Sequence, residues 1–240
     1  MSLLLNTEQN NNKNIIPIIP QLIKYGFEYE YNYIITSPYT ISLNQLFNSH
    51  NKSFSLKKAC ELILYSLQAI EVLHKNNIIH RDINPKALSL ESDGKVKFIY
   101  LGFWKYYKNN KKHIPFKFYK KIIGKNFLFG SINNLMGVEL SRRDDLQSLA
   151  YMLIYFIKGN LPWDNLDIKN SEKIIEKILE MKLNIDEKIL TEGLPNDIKM
   201  FFSYVKKLKF EEEPNYDYLK NILKNNINLK DSDKNYYFNL

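Results

Sequence analysis

The residues best suited to chemistry form one short run, in which His80 and Arg81 precede Asp82. A loop carboxylate can act as a general base, because it can accept a proton from a hydroxyl group within hydrogen-bonding distance. It can also simply accept hydrogen bonds inside its own loop, and this structural role is our first interpretation of Asp82. The three other histidines lack the spacing of metal ligands, so no metal site is predicted.

Two predicted elements bracket this run. Ser55 is a candidate N-cap, and apolar residues follow it at three- and four-residue steps as far as His74, which predicts a helix ending at Asn76-Asn77. Further along, Asp93-Gly94 separates two short apolar runs and is a strong hairpin signal. We therefore expect Asp82 in a loop between a long helix and a β-hairpin.

The rest of the chain is rich in predicted helix. A first hairpin is expected within Gln21–Thr36, and a lysine-rich irregular stretch covers about 106–137. Asp144–Lys158 is apolar on nearly every face, which predicts a buried central helix. Short strands followed by many helices predict an α+β fold dominated by helix. Three amphipathic helices are expected at Ser171–Lys182, Pro195–Leu208 and Tyr216–Asn226.

Composition excludes several classes of protein. The chain has 240 residues and is 45% hydrophobic, enough to bury a core without disulfides or metals. Its single cysteine, Cys60, excludes a disulfide framework and fits a reducing compartment. The longest apolar run is shorter than the ~20 residues that span a bilayer, and no signal-peptide pattern is present. We expect an intracellular protein, cytoplasmic or nuclear, that is neither secreted nor membrane-spanning.

The positive charge does not indicate a nucleic-acid role. The net charge is +8, but only three of the 34 basic residues are arginine, and the lysines are spread along the whole chain. Nucleic-acid binders more often cluster their basic residues and use arginine for phosphate and base contacts. We therefore predict a solvated basic surface and no specific nucleic-acid partner.

The stretch from Ile78 to Leu90 resembles the catalytic loop of protein kinases, HRDxKxxN. Further segments, in order along the chain, resemble the casein kinase 1 family. These are His113-Ile114-Pro115, Ser131-Ile132-Asn133, Ser141-Arg142-Arg143-Asp144-Asp145-Leu146, Leu161-Pro162-Trp163 and Phe210-Glu211-Glu212-Glu213-Pro214. The vaccinia-related kinases are a second fit. The resemblance implies a protein-kinase-like fold with a mostly helical C-terminal lobe and a reduced N-terminal lobe of about two strands.

The resemblance also divides the chain. We expect an Asn-rich leader at 1–14, a kinase-like domain at 15–227 and a tail at 228–240. Within the domain, 15–40 holds the N-lobe hairpin and the hinge, and 41–227 forms the C-lobe. The only glycine before Gly94 is Gly26, so the family's glycine-rich loop and its ATP-anchoring lysine find no counterpart. The expectation is a truncated kinase domain.

The resemblance places altered residues at the catalytic positions. Asp82 keeps the position of the base. Asn84 stands where the family has a lysine that reaches the transferred phosphate, and Ala87 stands where an asparagine holds a metal ion. Tyr100 replaces the metal-binding aspartate of the DFG motif, although magnesium prefers charged oxygens and a tyrosine is neutral at pH 7. No cofactor is expected, and ATP and magnesium are expected only if the chain is an active kinase.

The retained residues are those with structural roles in the family. Asp145 aligns with an aspartate that accepts hydrogen bonds from the catalytic-loop backbone, and His80 and Arg81 support the same loop. Our hypothesis is a casein-kinase-1-like pseudokinase that serves as a protein-binding or scaffold module. The alternative is a divergent serine/threonine kinase that transfers the γ-phosphate of ATP to proteins. A third is a degenerate gene product with no selected role.

The first hairpin supplies the expected interface. Exposed apolar patches mark interaction surfaces, and tyrosines combine a large contact area with a polar group. We expect a protein partner or self-association through this hairpin. One side is expected to carry Tyr25, Phe27, Tyr29, Tyr31, Tyr33 and Ile35, and the other side Leu22 and Ile34.

Overall fold

The computed structural model describes residues 18–109, 112–124, 126–167 and 170–228. The expected leader lies outside this part of the chain, as does all of the expected tail except residue 228. The strands are β1 (Leu22–Glu28), β2 (Tyr31–Thr36), β3 (Ile41–Ser42), β4 (Ile78–Ile79), β5 (Leu88–Leu90), β6 (Val96–Phe98), β7 (Lys105–Tyr106), β8 (Lys108–Asn109) and β9 (Lys112–His113). The helices are α1 (Leu43–Ser49), α2 (Leu56–Lys75), α3 (Ile132–Leu135), α4 (Arg142–Lys158), α5 (Ser171–Asn184), α6 (Glu187–Leu190), α7 (Asn196–Lys207) and α8 (Tyr216–Ile227).

Helices α2 and α4 form the centre of the molecule. Ser55 caps α2 by accepting a hydrogen bond from the Lys58 N–H, and the helix stops at Asn76, followed by Asn77 at φ 64°. Helix α4 is buried on nearly all sides, and it packs against α2 and α7. Helix α8 lies along α2. The predicted central helix, the predicted N-cap and the three predicted amphipathic helices are confirmed.

The sheets are small and antiparallel. Strands β1 and β2 form one hairpin, and β3, β5 and β6 form a three-stranded sheet. Gly94, at φ 79°, turns the chain between β5 and β6, as the Asp93-Gly94 signal predicts. Strand β4 pairs with β7, which holds the start of the loop that begins at His80. Among the described residues, no helix is long and apolar enough to cross a membrane.

The first hairpin is confirmed, but the expected distribution of its side chains is wrong. Strand β1 pairs Tyr25 with Ile34, Gly26 with Tyr33, and Phe27 with Asn32. Directly paired residues share a face. The two-residue turn therefore places odd-numbered residues of β1 with even-numbered residues of β2. Tyr25 and Phe27 lie on the face of Ile34, and the opposite face carries Tyr31, Tyr33 and Ile35.

Candidate active site

Asp145, in the first turn of α4, anchors the loop that contains Asp82. Its buried carboxylate accepts hydrogen bonds from the backbone N–H groups of His80 (2.7 Å) and Arg81 (2.8 Å). The Nε2 atom of His74 lies 2.9 Å from the same carboxylate. Burial alone raises the pKa of Asp145, but the hydrogen bond with His74 and the contacts with His80 together outweigh it, so the pKa lies below its usual value. The loop is thus held to the central helix by a buried, ionised carboxylate.

His80 is a core residue. Its ring packs against Phe98 and Trp104, with centroids 4.8 Å and 6.0 Å away. Its Nδ1 atom accepts a hydrogen bond from the Asp82 N–H at 3.2 Å. Burial lowers the pKa of His80 to about 4, so the ring is neutral at pH 7. The neighbouring Arg81 has a backbone φ of 71°, and its Nε donates to the carbonyl of Phe103.

The Asp82 carboxylate is partly enclosed. A Cβ atom built on Gly124 would lie 3.0 Å from Asp82 Oδ1, so the Gly124 backbone passes directly beside the carboxylate, at φ +72°. Burial raises the pKa of Asp82 to about 6, and hydrogen bonds from Asn84 and Asn126 oppose this shift. A carboxylate of this kind can accept a proton near neutral pH. No local pattern marks Gly124 or Asn126 as neighbours of Asp82, because both lie more than 40 residues further along the chain.

The other altered positions offer little to a metal ion or a phosphate. The Asn84 amide donates to the Asp82 carbonyl and accepts from the Lys86 N–H, both at 2.9 Å, so its polar atoms are bound within the loop. Ala87 is buried and has no side-chain ligand atom. Tyr100 is 57% exposed. The described residues hold no group of three histidine, cysteine, aspartate or glutamate side chains that could bind a metal. Asn84, Ala87 and Tyr100 therefore supply no charged oxygen of the kind that magnesium prefers.

A small cationic cavity lies beside Arg81 and was not predicted from the sequence. It encloses about 240 Å³, and Lys105, Tyr119 and Glu139 contribute to its wall. Lys105 Nζ lies 2.8 and 2.7 Å from the two carboxylate oxygens of Glu139, and the Tyr119 hydroxyl donates to the same group at 2.7 Å. These contacts join the segment after Tyr100 to the one before α4. Lys105 and Glu139 are 34 residues apart in the sequence, so their contact could not be predicted from a local pattern.

A second unanticipated feature is the buried cation of Lys182. Its Nζ donates to the carbonyls of Phe127 (3.0 Å), Leu128 (3.1 Å) and Gly130 (2.6 Å). It also lies 4.6 Å from the ring centroid of Tyr151, and a second ring, of Trp163, lies at 4.9 Å. Burial lowers the pKa of Lys182 well below its usual value. This lysine ties the turn that follows Asn126 to helices α4 and α5.

We expect Lys182→Met to lower the free energy of unfolding by about 2 kcal/mol. Methionine fills similar space but leaves three carbonyls without their donor, while relief of the buried charge offsets part of that loss. Urea unfolding measures the change. The control is Lys177→Met on the same helix, where the lysine pairs with Glu180 in an exposed ion pair and a change below about 0.5 kcal/mol is expected. Equal effects of the two substitutions would contradict the role assigned to Lys182.

Comparison with known families agrees with this architecture. The family model of the protein kinase domain matches residues 6–232. The match covers most of the chain, and the α+β fold has the helical lobe and the small antiparallel sheets that the sequence led us to expect. This chain belongs to the protein kinase domain family. The predicted kinase-like fold is thereby confirmed.

Proposed function

We propose that this protein is a casein-kinase-1-like pseudokinase, an intracellular protein-binding or scaffold module that transfers no phosphoryl group. One observation carries the proposal: around Asp82, the three positions that serve phosphate and metal in active kinases hold Asn84, Ala87 and Tyr100. Phosphoryl transfer depends on positioning and on neutralising phosphate charge. An amide bound to its own loop, a buried methyl group and an exposed phenol supply neither.

The retained residues support the same proposal. Asp145, His80 and Arg81 each contact the loop or the core beneath it, so each serves the fold whether or not ATP binds. Selection for a folded domain is sufficient to explain them. The motif segments quoted above favour the casein kinase 1 family within the protein kinases, with the vaccinia-related kinases as the second fit.

The first hairpin supports the binding role. Tyr29, in its two-residue turn, is 87% exposed and has a φ of 52°, a conformation that costs a non-glycine residue of order 1 kcal/mol or more. Phe27 is 68% exposed and Tyr31 is 69% exposed, on opposite faces of the hairpin. Exposed aromatic residues on both faces of a hairpin with a strained turn suit protein recognition. We propose this hairpin as the partner-binding element, with no specific nucleic-acid partner.

One observation favours the alternative, a divergent serine/threonine kinase. Asp82 is present at the base position, and its pKa of about 6 suits proton transfer near neutral pH. A catalytic role for Asp82 predicts phosphoryl transfer that Asp82→Asn abolishes. A structural role predicts no transfer from either protein.

We expect magnesium and ATP together to leave the melting temperature unchanged. A ligand present at a hundred times its Kd would stabilise the fold by about 2.7 kcal/mol, which a thermal melt detects readily. The measurement compares millimolar ATP with and without magnesium, with an active protein kinase as positive control. Radiolabelled ATP with a general protein substrate tests transfer in parallel. A magnesium-dependent rise in melting temperature would contradict the expected loss of nucleotide binding, and label transfer that is lost in Asp82→Asn would refute the pseudokinase proposal.

A further inference from the structure

The two edges of the first hairpin differ in how well they resist pairing. Natural sheets protect exposed edges with charges, prolines and bulges. The β1 edge carries Lys24, Glu28 and a register shift between Leu22 and Lys24. Strand β2, Tyr31–Thr36, has no charge, no proline and no such irregularity. Within the described residues, β1 is its only strand neighbour, so the outer edge of β2 can accept another strand.

The backbone groups on that edge follow from the register. Glu28 pairs with Tyr31 across the two-residue turn, and a pair that flanks such a turn exchanges both of its hydrogen bonds. Bonded and non-bonded pairs alternate along the ladder. The N–H and C=O groups of Tyr31 and Tyr33 therefore point to β1, while those of Asn32 and Ile34 point outward.

We propose that β2 pairs in antiparallel orientation with β2 of a second copy of this chain, about a two-fold axis at Tyr33. The result is a continuous four-stranded sheet. Each Asn32 exchanges its outward backbone bonds with Ile34 of the other copy, so the edge is complementary to itself, as a two-fold interface requires. This inference rests on the proposed function only because it names the partner of the proposed binding module.

Charge favours a second copy in this orientation. The chain carries a net charge of +8, but the segment from Gln21 to Thr36 holds one lysine and two glutamates, so this hairpin adds little to the repulsion between copies. In the antiparallel sheet, one row of side chains runs from Glu28 through Tyr31 to Ile35 and Lys24 of the other copy. Each acidic end thus shares a row with the basic end of its mate, three strand spacings or about 14 Å away, whereas a parallel pair would align the two acidic ends in one row.

Side chains on the same face can pack across the axis. A Cβ atom built on Gly26 would lie 2.5 Å from the Tyr33 hydroxyl oxygen and 2.6 Å from Cζ, so the Tyr33 ring lies across Gly26. The ring thereby points away from the axis and leaves the β2 backbone accessible. Tyr31 of one copy lies opposite Ile35 of the other, an aromatic and β-branched pair of the kind that stabilises antiparallel sheets.

The first test measures the mass of the full 240-residue chain across a concentration series by sedimentation equilibrium. We expect a reversible monomer–dimer equilibrium. Asn32→Pro removes an outward N–H and should weaken the dimer at least tenfold, because proline is tolerated at an edge but cannot donate to a new strand. Ile23→Pro is the control, since Ile23 has no partner at the register shift of β1 and proline is tolerated at a bulge; it should leave the dimer constant within about threefold. Thermal melts of both variants verify that the domain is folded.

A cysteine placed at the axis tests the register. Tyr33 and its counterpart would form a non-hydrogen-bonded pair with Cα atoms about 4.5 Å apart, which a disulfide can span. Tyr33→Cys should therefore give a covalent dimer on mild oxidation, whereas Tyr31→Cys, opposite Ile35, should not. The native Cys60 is buried and should not contribute.

These outcomes separate the dimer from the proposed function. A wild-type chain that is monomeric at every concentration, or a dimer that Asn32→Pro and Ile23→Pro weaken equally, overturns the β2 interface. A disulfide through Tyr31→Cys but not Tyr33→Cys overturns the two-fold register. None of these measurements depends on nucleotide, so the dimer can be disproved while the pseudokinase proposal stands. Conversely, phosphoryl transfer can be detected while the dimer stands.

Discussion

Asp145→Ala is expected to cost about 3–5 kcal/mol of the free energy of unfolding, the largest effect of any single substitution we propose. The substitution removes a buried acceptor and leaves the N–H groups of His80 and Arg81 unpaired. It also leaves His74 Nε2 without its carboxylate. For a chain of this size the melting temperature should fall by about 10 °C. Chemical denaturation and thermal melts both measure the loss.

The matched control for this prediction is Asp217→Ala. Asp217 also lies in the first turn of a helix and pairs with Lys220 at 2.8 Å, but its side chain is exposed. An exposed ion pair contributes about 0–1 kcal/mol, so this alanine should change little. Hydrogen exchange provides a local readout, because the amides of residues 80 and 81 should exchange faster in Asp145→Ala only. A cost below about 1 kcal/mol for Asp145→Ala would contradict its anchoring role.

Much of the fold could be predicted because its main elements are long or carry a strong local signal. The three- and four-residue steps after Ser55 mark α2, and the near-continuous apolar surface of 144–158 marks α4. The Asp93-Gly94 turn needs only two residues to be recognised. Helices α1, α3 and α6 were not predicted, because segments of seven residues or of four are too short to show a helical period.

The candidate site was predictable only where a contiguous motif carries it. His80, Arg81 and Asp82 are adjacent in sequence, so the loop could be recognised at once. Gly124 beside Asp82 and Lys182 beneath the turn at 127–130 are contacts between distant segments, and nothing in the local pattern marks them. A lysine in an amphipathic helix is ordinarily solvated. Lys182 is buried instead, because backbone carbonyls and aromatic rings from three other parts of the chain surround its amino group.

The second large effect is a loss of stability at acidic pH. Burial holds the pKa of His80 at about 4, against about 6.5 for a histidine in an unfolded chain. Between these values the unfolded chain binds a proton that the folded chain does not, so the contribution of His80 to stability is full above pH 6.5 and falls as the pH decreases towards 4. A shift of this size corresponds to a loss of about 3 kcal/mol. Burial also lowers the pKa of His74, which adds a loss of the same sign.

The experiment compares wild type with His80→Phe by urea unfolding from pH 8 to pH 4. Phenylalanine keeps an aromatic ring against Phe98 and Trp104 but does not titrate. The stability of wild type relative to His80→Phe should be constant above pH 7 and should fall by about 3 kcal/mol as the pH approaches 4. A difference that does not change with pH would show that His80 is not held neutral by the fold.

Asp82→Asn tests a pH dependence of stability that has the opposite sign and arises in the same loop. Because the pKa of Asp82 is raised to about 6, the folded chain binds a proton that the unfolded chain does not between pH 6 and about 4. Wild type should therefore gain stability relative to Asp82→Asn as the pH falls through this range. If the stability contributions of His80 and Asp82 change with pH in opposite directions, a general effect of acid on the whole molecule is excluded. If both variants shift the profile in the same direction, the enclosure of Asp82 by Gly124 does not raise its pKa in solution.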